Sequence, residues 1–159
     1  MEVKEAIMTR RAYRSLDPVE ITDDLIRELA ESARLAPSCF NNQPSRLVFV
    51  RDPEVLKEIH GAISRGNKWI RDASMIIAVA NRVADDCQVS GRDYHHFDSG
   101  MATAFLILRA TELGFVAHPV AGYREAKVKE ILGVPEEHQI ITLVNVGLHA
   151  ETLYNTLSE

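Results

Sequence analysis

The sequence is short of the residues that build disulfide scaffolds and basic binding faces. Its 159 residues include two cysteines, Cys39 and Cys87, which are too few for a disulfide framework and form no CxxC pair for zinc or redox chemistry. We therefore expect both to be thiols in a reducing cytoplasm. Basic residues are in the minority, since 18 Lys and Arg stand against 23 Asp and Glu and give a formal net charge of −5. This balance argues against nucleic-acid binding, which requires a basic face.

Long apolar runs are also missing. The longest, residues 73–80 and 102–108, fall far short of the roughly 20 residues that a membrane-spanning helix needs. The N-terminal residues show no apolar core of the kind found in signal peptides. Apolar residues make up 46% of the chain and charged residues 26%, which is typical of globular proteins. We expect one soluble, cytoplasmic domain over residues 1–159, without a membrane or nucleic-acid partner.

Several common functional motifs are absent. The chain has no GxGxxG, no GxxxxGK[ST], no HExxH, no GxSxG and no EF-hand loop. The adjacent pair His95 and His96 is not a metal signature, because neighbouring residues on a helix or strand point apart. We expect no bound metal ion.

Hydrophobic periodicity predicts a mixture of helices and about four strands. The predicted order is helix 2–10, a helix capped by Thr22 and stopped by Pro37, strand 45–50, a helix opened by Pro53, strand 74–80, helix 98–113, strand 115–120, helix 125–132 and strand 140–146. Strand 74–80 is apolar on both faces and is therefore predicted to be buried. Because helices and strands do not alternate strictly, the pattern favours an α+β fold over a doubly wound sheet.

Two clusters carry candidate binding chemistry. Three arginines, Arg10, Arg11 and Arg14, fall within five residues of an otherwise acidic chain, and guanidinium groups bind phosphate oxygens bidentately. The segment 36–44 is rich in amides and hydroxyls that can hydrogen-bond the edge of a polar heterocycle. Each has a plainer interpretation, a solvated basic turn for the first and an ordinary loop for the second. The residue patterns alone leave both interpretations open.

Taken in order, these segments resemble the nitroreductase-like family of FMN-dependent oxidoreductases. The family opens with approximately R-R-S-x-R and later A-P-S-x-x-N-x-Q-P-W, where this chain has R-R-A-Y-R at 10–14 and A-P-S-C-F-N-N-Q-P-S at 36–45. Similar segments follow at 72–74, at 98–114 in the central helix, at 119–123 (P-V-A-G-Y) and at 127–135 (K-V-K-E-I-L-G-V-P). Each motif is weak alone, but the ordered set spans nearly the whole chain.

The resemblance implies a fold, an assembly and a cofactor. It implies a mostly antiparallel central sheet flanked by helices, in an intertwined homodimer with two FMN sites at its interface. The implied contacts are the FMN phosphate and ribityl side for Arg10, Arg11, Ala12 and Arg14, the flavin of the other subunit for Pro37, Ser38, Cys39 and Asn41, the pyrimidine edge for Asn67, and flavin N5 for the backbone N–H groups of Ala121 and Gly122. Glycine at 122 also fits a close backbone approach or a positive φ.

The chain departs from the family pattern at several positions. Ala12 replaces a serine and removes one hydroxyl contact to the cofactor, and Ser45 replaces a large aromatic residue. Residues 147–151 contain no Lys or Arg, although many members carry a basic pair there. Phosphate binding is then expected to depend on the N-terminal arginines, with Lys68 as a further candidate. Because the chain is short for the family, we expect an open, undiscriminating site.

The leading functional hypothesis is an FMN-dependent NAD(P)H oxidoreductase that passes electrons through flavin N5 to a nitroaromatic, a quinone or a similar small acceptor. One alternative is a flavin-binding carrier or sensor with little turnover. Another is a cofactor-free interaction module whose arginines pair with its own acidic residues. His118 and Tyr123 flank the N5 turn and either contact substrate or pack. Cys39 is either a small buried hydrophobe or a redox-active thiol.

Overall fold

The computed structural model describes residues 1–151. It contains five α-helices and seven β-strands in this range. They are α1 (Val3–Thr9), β1 (Leu16–Asp17), α2 (Asp23–Arg34), β2 (Arg46–Val50), α3 (Pro53–His60), β3 (Met75–Asn81), β4 (Gln88–Val89), β5 (Arg92–Asp93), α4 (His95–Glu112), β6 (Val116–Val120), α5 (Glu125–Leu132) and β7 (Gln139–His149). No helix in the described range is long and apolar enough to cross a bilayer.

Side-chain caps mark the first residues of α2 and α3, at the positions that the sequence predicts. The Thr22 side chain accepts a hydrogen bond from the Leu25 N–H at the start of α2. At α3 the Asp52 carboxylate accepts from two backbone N–H groups, and Pro53 occupies the first turn. Side-chain acceptors of this kind satisfy N–H groups that have no partner inside the helix. The predicted starts of both helices are therefore confirmed.

The sheet is antiparallel and is built around β7. This eleven-residue strand pairs with β1, β3 and β6, and β3 pairs in turn with β2. In register, Ala78 of β3 lies beside Leu143 of β7, and His118 of β6 lies beside Asn145. The predicted α+β fold with an antiparallel central sheet is confirmed.

Strand β3 is buried along its whole length because each face of the sheet is covered. Ile76, Ala78 and Ala80 belong to one core cluster, which includes residues of α3 and α5. Met75, Ile77 and Val79 belong to a second cluster, which includes residues of α2 and α4. The period of two follows from the pleat of a strand, so an uninterrupted apolar run serves both cores.

Helix α4 differs from the predicted central helix in two ways. It begins at His95 rather than at 98, and it buries the polar side chains of Asp98, Ser99 and Thr103 while leaving Phe105 43% exposed. The end of β3 is tied to its first turns, because Asn81 Nδ2 donates to the His95 carbonyl and to Ser99 Oγ. The apolar surface of α4 is therefore divided between the core and an outer face that is exposed in this chain.

The insert between β3 and α4, residues 82–94, holds structure that periodicity did not predict. Strands β4 and β5 form a two-stranded hairpin closed by Ser90 and Gly91, which both adopt positive φ. Positive φ at both central residues suits the twist of a tight hairpin. These strands, like β1, have two residues each, which is too short for a periodic signal.

The expectation of two free thiols is wrong in this structure. Cys39 and Cys87 form a disulfide with a Cα–Cα separation of 6.1 Å, within the usual range. Cys39 is half-buried, so it is not a buried hydrophobe either. The two residues lie 48 positions apart, and only the meeting of the 36–44 loop with the insert brings them together. The sequence spacing carried no sign of this pairing.

Candidate functional site

The arginine segment, residues 10–14, is an exposed connection between α1 and β1. Arg11 folds back, and its Nη1 donates to the carbonyl oxygens of Met8 (2.7 Å) and Arg10 (2.8 Å). Within residues 1–151, none of Arg10, Arg11 and Arg14 forms an ion pair, although the chain is acidic. The self-pairing that a cofactor-free module requires is therefore not found in this part of the chain.

His118 of β6 holds the arginine segment against the sheet. Its Nδ1 lies 3.0 Å from the Tyr13 carbonyl oxygen, and since a carbonyl only accepts, Nδ1 carries the proton. Burial lowers the pKa of His118 below its ordinary value, the hydrogen bond to the Tyr13 carbonyl acts in the opposite direction, and the nearby Arg14 and Arg10 lower this pKa further. The ring is therefore neutral at pH 7. It also packs against Trp69, with 4.5 Å between ring centroids.

A cavity of about 380 Å³ lies beside the arginine segment. Arg10 and Ala12 form one wall, His118 and Pro119 form another, and α4 closes it with Ala104, Ile107 and Leu108. The exposed end of β7 reaches the same segment, because His149 stacks on Tyr13 at 3.6 Å between centroids. His149 thus occupies the region where the family pattern has basic residues. Sequence reasoning noted the missing charge there but did not identify this ring.

The turn at 121–123 presents backbone donors. The Gly122 carbonyl accepts from the Ser64 N–H (2.9 Å) and from Asn67 Nδ2 (3.3 Å), and the Ala121 carbonyl accepts from the Tyr123 N–H (3.2 Å). In a trans peptide the N–H points opposite to the carbonyl. Fixing the Ala121 carbonyl therefore fixes the direction of the Gly122 N–H. Neither the Ala121 nor the Gly122 N–H donates a hydrogen bond within the described range.

Gly122 is required by a close approach and not by its backbone angle. It is not among the described glycines with positive φ. A Cβ built on it would collide with Asn67 Nδ2 and would lie 3.4 Å from the Ser64 side chain. A positive φ is therefore not the reason for glycine here, and the close contact within this chain is with the side chain of Asn67 rather than with a ring.

Tyr123 is a packing residue. Its hydroxyl donates to the Ile140 carbonyl at 2.7 Å. Burial, followed by the charge of Glu125, raises the pKa of Tyr123 to about 12. The phenol is therefore neutral and engaged at physiological pH, so it does not supply the turn with an available acid.

The 36–44 loop forms the second part of the site. The Cys39 N–H donates to Asp98 Oδ2 at 2.6 Å, and the Gln43 N–H donates to Ser38 Oγ at 2.9 Å. Asn41 is exposed, and Pro37 and Ser38 line a cavity of about 350 Å³ between the loop and helices α2 and α4. Asp98 was seen from sequence as part of the central helix, but its contact with the loop was not predicted.

Asp98 is a buried carboxyl, and its pKa is raised above the ordinary value. Burial is the main cause, and the neighbouring Asp86 raises the pKa as well, while the Cys39 N–H acts in the opposite direction. Two carboxyl groups in one site disfavour each other's ionised form. The 36–44 loop is therefore hydrogen-bonded to a carboxyl group, that of Asp98, whose surroundings favour its neutral form.

The predicted site residues fall into two groups within one copy of the chain. The first group lies near His118, Trp69 or the 121–123 turn. It consists of Arg10, Ala12, Arg14, Asn67, Ala121 and Gly122. Pro37, Ser38, Cys39 and Asn41 lie on the loop, whose contacts run to Asp98, Asp86 and Arg34. Lys68 lines a third cavity, of about 210 Å³, with Ser64, Arg65 and Asn67.

Comparison with known proteins decides the family. The model of the nitroreductase family matches residues 7–68 and 62–148. The chain belongs to the nitroreductase family. An Archaeoglobus fulgidus relative named "Putative NADH dehydrogenase/NAD(P)H nitroreductase" is 32% identical over 92% of this chain and 84% of its own length. The resemblance stated from the motifs is confirmed, and the protein is a nitroreductase-family oxidoreductase.

Solved structures of nitroreductase-family proteins share the fold. A nitroreductase family protein from Clostridium novyi NT superposes with a TM-score of 0.88 at 24% identity, covering 95% of this chain and 87% of that chain. A second structure, described as "the oxidoreductase containing FMN", gives a TM-score of 0.82 at 25% identity and covers 95% and 79%. These likenesses support the fold, whereas the intertwined homodimer stays a prediction.

Gly122→Ala should destabilise this protein by about 1 kcal/mol, because the added Cβ displaces the Asn67 amide from its carbonyl partner. The measurement is the free energy of unfolding by denaturant titration. The control is the same substitution in an Asn67→Ala background, where most of the cost should disappear. An equal cost in both backgrounds would show that the clash is not the reason for glycine.

Asp98→Asn should change the pH dependence of stability. A carboxyl whose pKa is raised in the folded state favours folding below its unfolded pKa, and this contribution is lost as pH rises through the folded pKa. The variant has no such loss, and its amide oxygen can still accept from the Cys39 N–H. Its unfolding free energy relative to the parent should therefore increase from pH 4 to pH 8. A pH-independent difference would contradict the raised pKa.

Proposed function

We propose that this chain binds FMN between two copies of itself and passes electrons from NAD(P)H through flavin N5 to a small oxidised acceptor such as a nitroaromatic or a quinone. One observation carries the proposal. An arginine segment without acidic partners in the described range is bound by His118, and His118 packs on Trp69, two residues along the chain from Asn67, whose amide donates to the Gly122 carbonyl. The FMN named for the related oxidoreductase supports it.

The donor set suits the two ends of FMN. Arg10 and Arg14 offer guanidinium groups to a phosphate, whereas Arg11 must first leave the carbonyls on which it is folded. Asn67 donates one amide hydrogen to the Gly122 carbonyl. Its second amide hydrogen and its acceptor oxygen can bind a pyrimidine edge. The absence of a Cβ at Gly122 leaves room for Asn67, so the polar groups form one connected unit.

When bound, FMN supplies hydride acceptance at N5 and electron transfer to an acceptor. The chain's part is to bind and orient. The Gly122 N–H is aimed by the bond between the Ala121 carbonyl and the Tyr123 N–H, and it can donate to a ring nitrogen. The Tyr123 hydroxyl is committed to the Ile140 carbonyl, and His118 is neutral and committed to Tyr13. Protons for the acceptor are therefore drawn from solvent, in line with an open site.

A second copy is needed to bring the 36–44 loop to the arginine segment. Within one copy the loop contacts α4, the insert and α2, away from the 121–123 turn. Val3, Ile7 and Met8 of α1 are 70%, 58% and 63% exposed, and Phe105 of α4 is 43% exposed. Exposed apolar faces of this kind are typical of protein–protein interfaces. We therefore infer a homodimer that buries α1 and the outer face of α4.

A flavin carrier or sensor with little turnover is the second candidate. It is favoured by the lack of Lys or Arg at 147–151, where His149 stacks on Tyr13. Anaerobic addition of NADH or NADPH to the flavin-loaded protein separates the two. Bleaching of the flavin followed by reoxidation with menadione supports the enzyme. Flavin that stays oxidised with both donors supports the carrier, and a colourless protein that takes up no FMN rejects both.

Arg10→Ala and Arg14→Ala should each weaken FMN binding by roughly 10- to 100-fold, because each removes a charge-assisted hydrogen bond to the phosphate. Quenching of FMN fluorescence on titration measures the dissociation constant. Arg27→Ala is the matched control, since Arg27 is an exposed arginine of α2 that pairs with Asp24. Unchanged affinity in both test variants would remove the arginine segment from the site.

Ile7→Glu and Phe105→Glu should convert the protein to monomers and reduce bound FMN in parallel. An unpaired carboxylate buried in an interface weakens dimerisation by roughly a hundredfold or more. Sedimentation velocity and the flavin-to-protein absorbance ratio report the two effects. Lys57→Glu, on the exposed surface of α3, should leave both unchanged. A flavin-loaded monomer would contradict the proposed assembly.

A further inference from the structure

A single covalent bond joins the 36–44 loop to the insert. The disulfide joins Cys39 to Cys87 over a sequence separation of 48, and the segment between them includes β2, α3 and β3. Both cysteines are half-buried, so neither is sealed in a core. Each cysteine residue therefore keeps some exposed surface, next to residues placed at the FMN site.

The loop has an unfavourable backbone shape. Phe40, Asn41 and Gln43 adopt φ values of 49°, 57° and 50°, in the left-handed region. Residues with a Cβ avoid this region because it crowds the following carbonyl. Such conformations persist only where the surroundings determine them strongly. Phe40 is 86% exposed, so burial of its own side chain does not hold the loop in this shape.

Backbone hydrogen bonds within the loop, and hydrogen bonds of Gln43 with Arg34 and Arg46, hold part of the loop. Four further interactions hold it, and two of them depend on the insert. Asp98 and Ser38 bind the backbone N–H groups of Cys39 and Gln43 from the body of the domain and from the loop itself. The other two are the disulfide and an exposed hydrogen bond of 3.3 Å from Asn42 Nδ2 to Asp86 Oδ1. Asp86 also lies beside Asp98, and the pKa of Asp98 is raised partly because the two carboxyl groups disfavour each other's ionised form. Without the disulfide, the hydrogen bond from Asn42 to Asp86 is what joins the loop to the insert within the described range.

We propose that Cys39 and Cys87 form a reversible thiol–disulfide exchange site whose oxidised form holds the 36–44 loop in its binding shape. The exchange partner is a low-molecular-mass dithiol. The loop carries Ser38 and Asn41, so reduction loosens the part of the site that one copy offers to the other. The effect on FMN rests on the proposed function, whereas the exchange reaction and the loosening of the loop do not.

The exchange balances in two steps. A thiolate of the dithiol attacks Cys87 Sγ, which lies on the surface insert, and the sulfur–sulfur bond of the protein breaks. Cys39 leaves as a thiolate and takes a proton from solvent. The second thiol of the dithiol then attacks the mixed disulfide, which releases Cys87 and a cyclic disulfide. Two electrons pass from the dithiol to the protein, and the reverse reaction restores the bond.

The first test measures the thiols and the loop without reference to flavin. The full chain is equilibrated in mixtures of reduced and oxidised dithiothreitol, quenched with acid and alkylated for mass spectrometry. Hydrogen exchange is measured on the same samples. EDTA is present because Cys39, Asp86 and Cys87 place their ligand atoms within 4.8 Å of one another and could gather a cation after reduction. The bond should open and reclose, and peptides covering 38–43 should exchange roughly tenfold faster when reduced.

Cys87→Ser is the matched variant, since Cys87 lies outside the residues assigned to FMN. It should show fast exchange at 38–43 in both buffers, and peptides from β3 and β7 should stay as protected as in the parent. Two results would overturn the exchange site: cysteines that remain unpaired in the oxidising buffer, or a loop equally protected in both states. Because the reduced parent is measured too, poor folding of the variant leaves the test intact.

The second test measures FMN affinity in the same states. Reduction of the parent, and Cys87→Ser without reductant, should each weaken FMN binding by roughly tenfold or more. A loop that loosens while FMN affinity stays constant would contradict the coupling. A protein that binds no FMN in either state would contradict the proposed function instead, and the exchange site would still be judged by hydrogen exchange.

Discussion

Strand β7 positions the 121–123 turn, the arginine segment and the start of α4 through backbone pairing. On one side it pairs with β6, which carries His118 and leads into the 121–123 turn. Its end pairs with β1 at Leu16 and His149, which sets where the arginine segment leaves the sheet. It also pairs with β3, whose last residue, Asn81, is tied to the start of α4. Because a slip of one residue would turn each side chain to the other face, burial on both faces fixes this register.

The site that follows from this frame is made of backbone groups and fixed side chains. A hydrogen bond already commits His118 and Tyr123, so the donors left in the described range include the Gly122 N–H, the second amide hydrogen of Asn67, Arg10 and Arg14. Such a site suits a cofactor that carries its own chemistry better than a reaction that needs a side-chain acid. Membership of the nitroreductase family agrees with this arrangement.

Much of the fold could be predicted because its signals are local or periodic. Thr22 and Asp52 cap helices by contacts within three residues, and β3 shows its burial on both faces as an unbroken apolar run. The ordered motifs predicted the family, which the comparisons confirm, and they also supplied the site residues, which stay a prediction. What escaped prediction depends on contacts between distant segments. The two-residue strand β1, the Cys39–Cys87 disulfide and the collision of a Gly122 Cβ with Asn67 arise only after the chain has folded.

The central claim is that one FMN site uses the arginine segment of one copy and the 36–44 loop of the other. Co-expression of an Arg14→Ala chain with a Ser38→Ala/Asn41→Ala chain, each with its own affinity tag, yields mixed dimers for measuring FMN content. In a mixed dimer one site has both of its parts intact and the other has both damaged. We predict about one tightly bound FMN per mixed dimer and little in either parent. Mixed dimers that bind FMN no better than the parents would contradict the shared site.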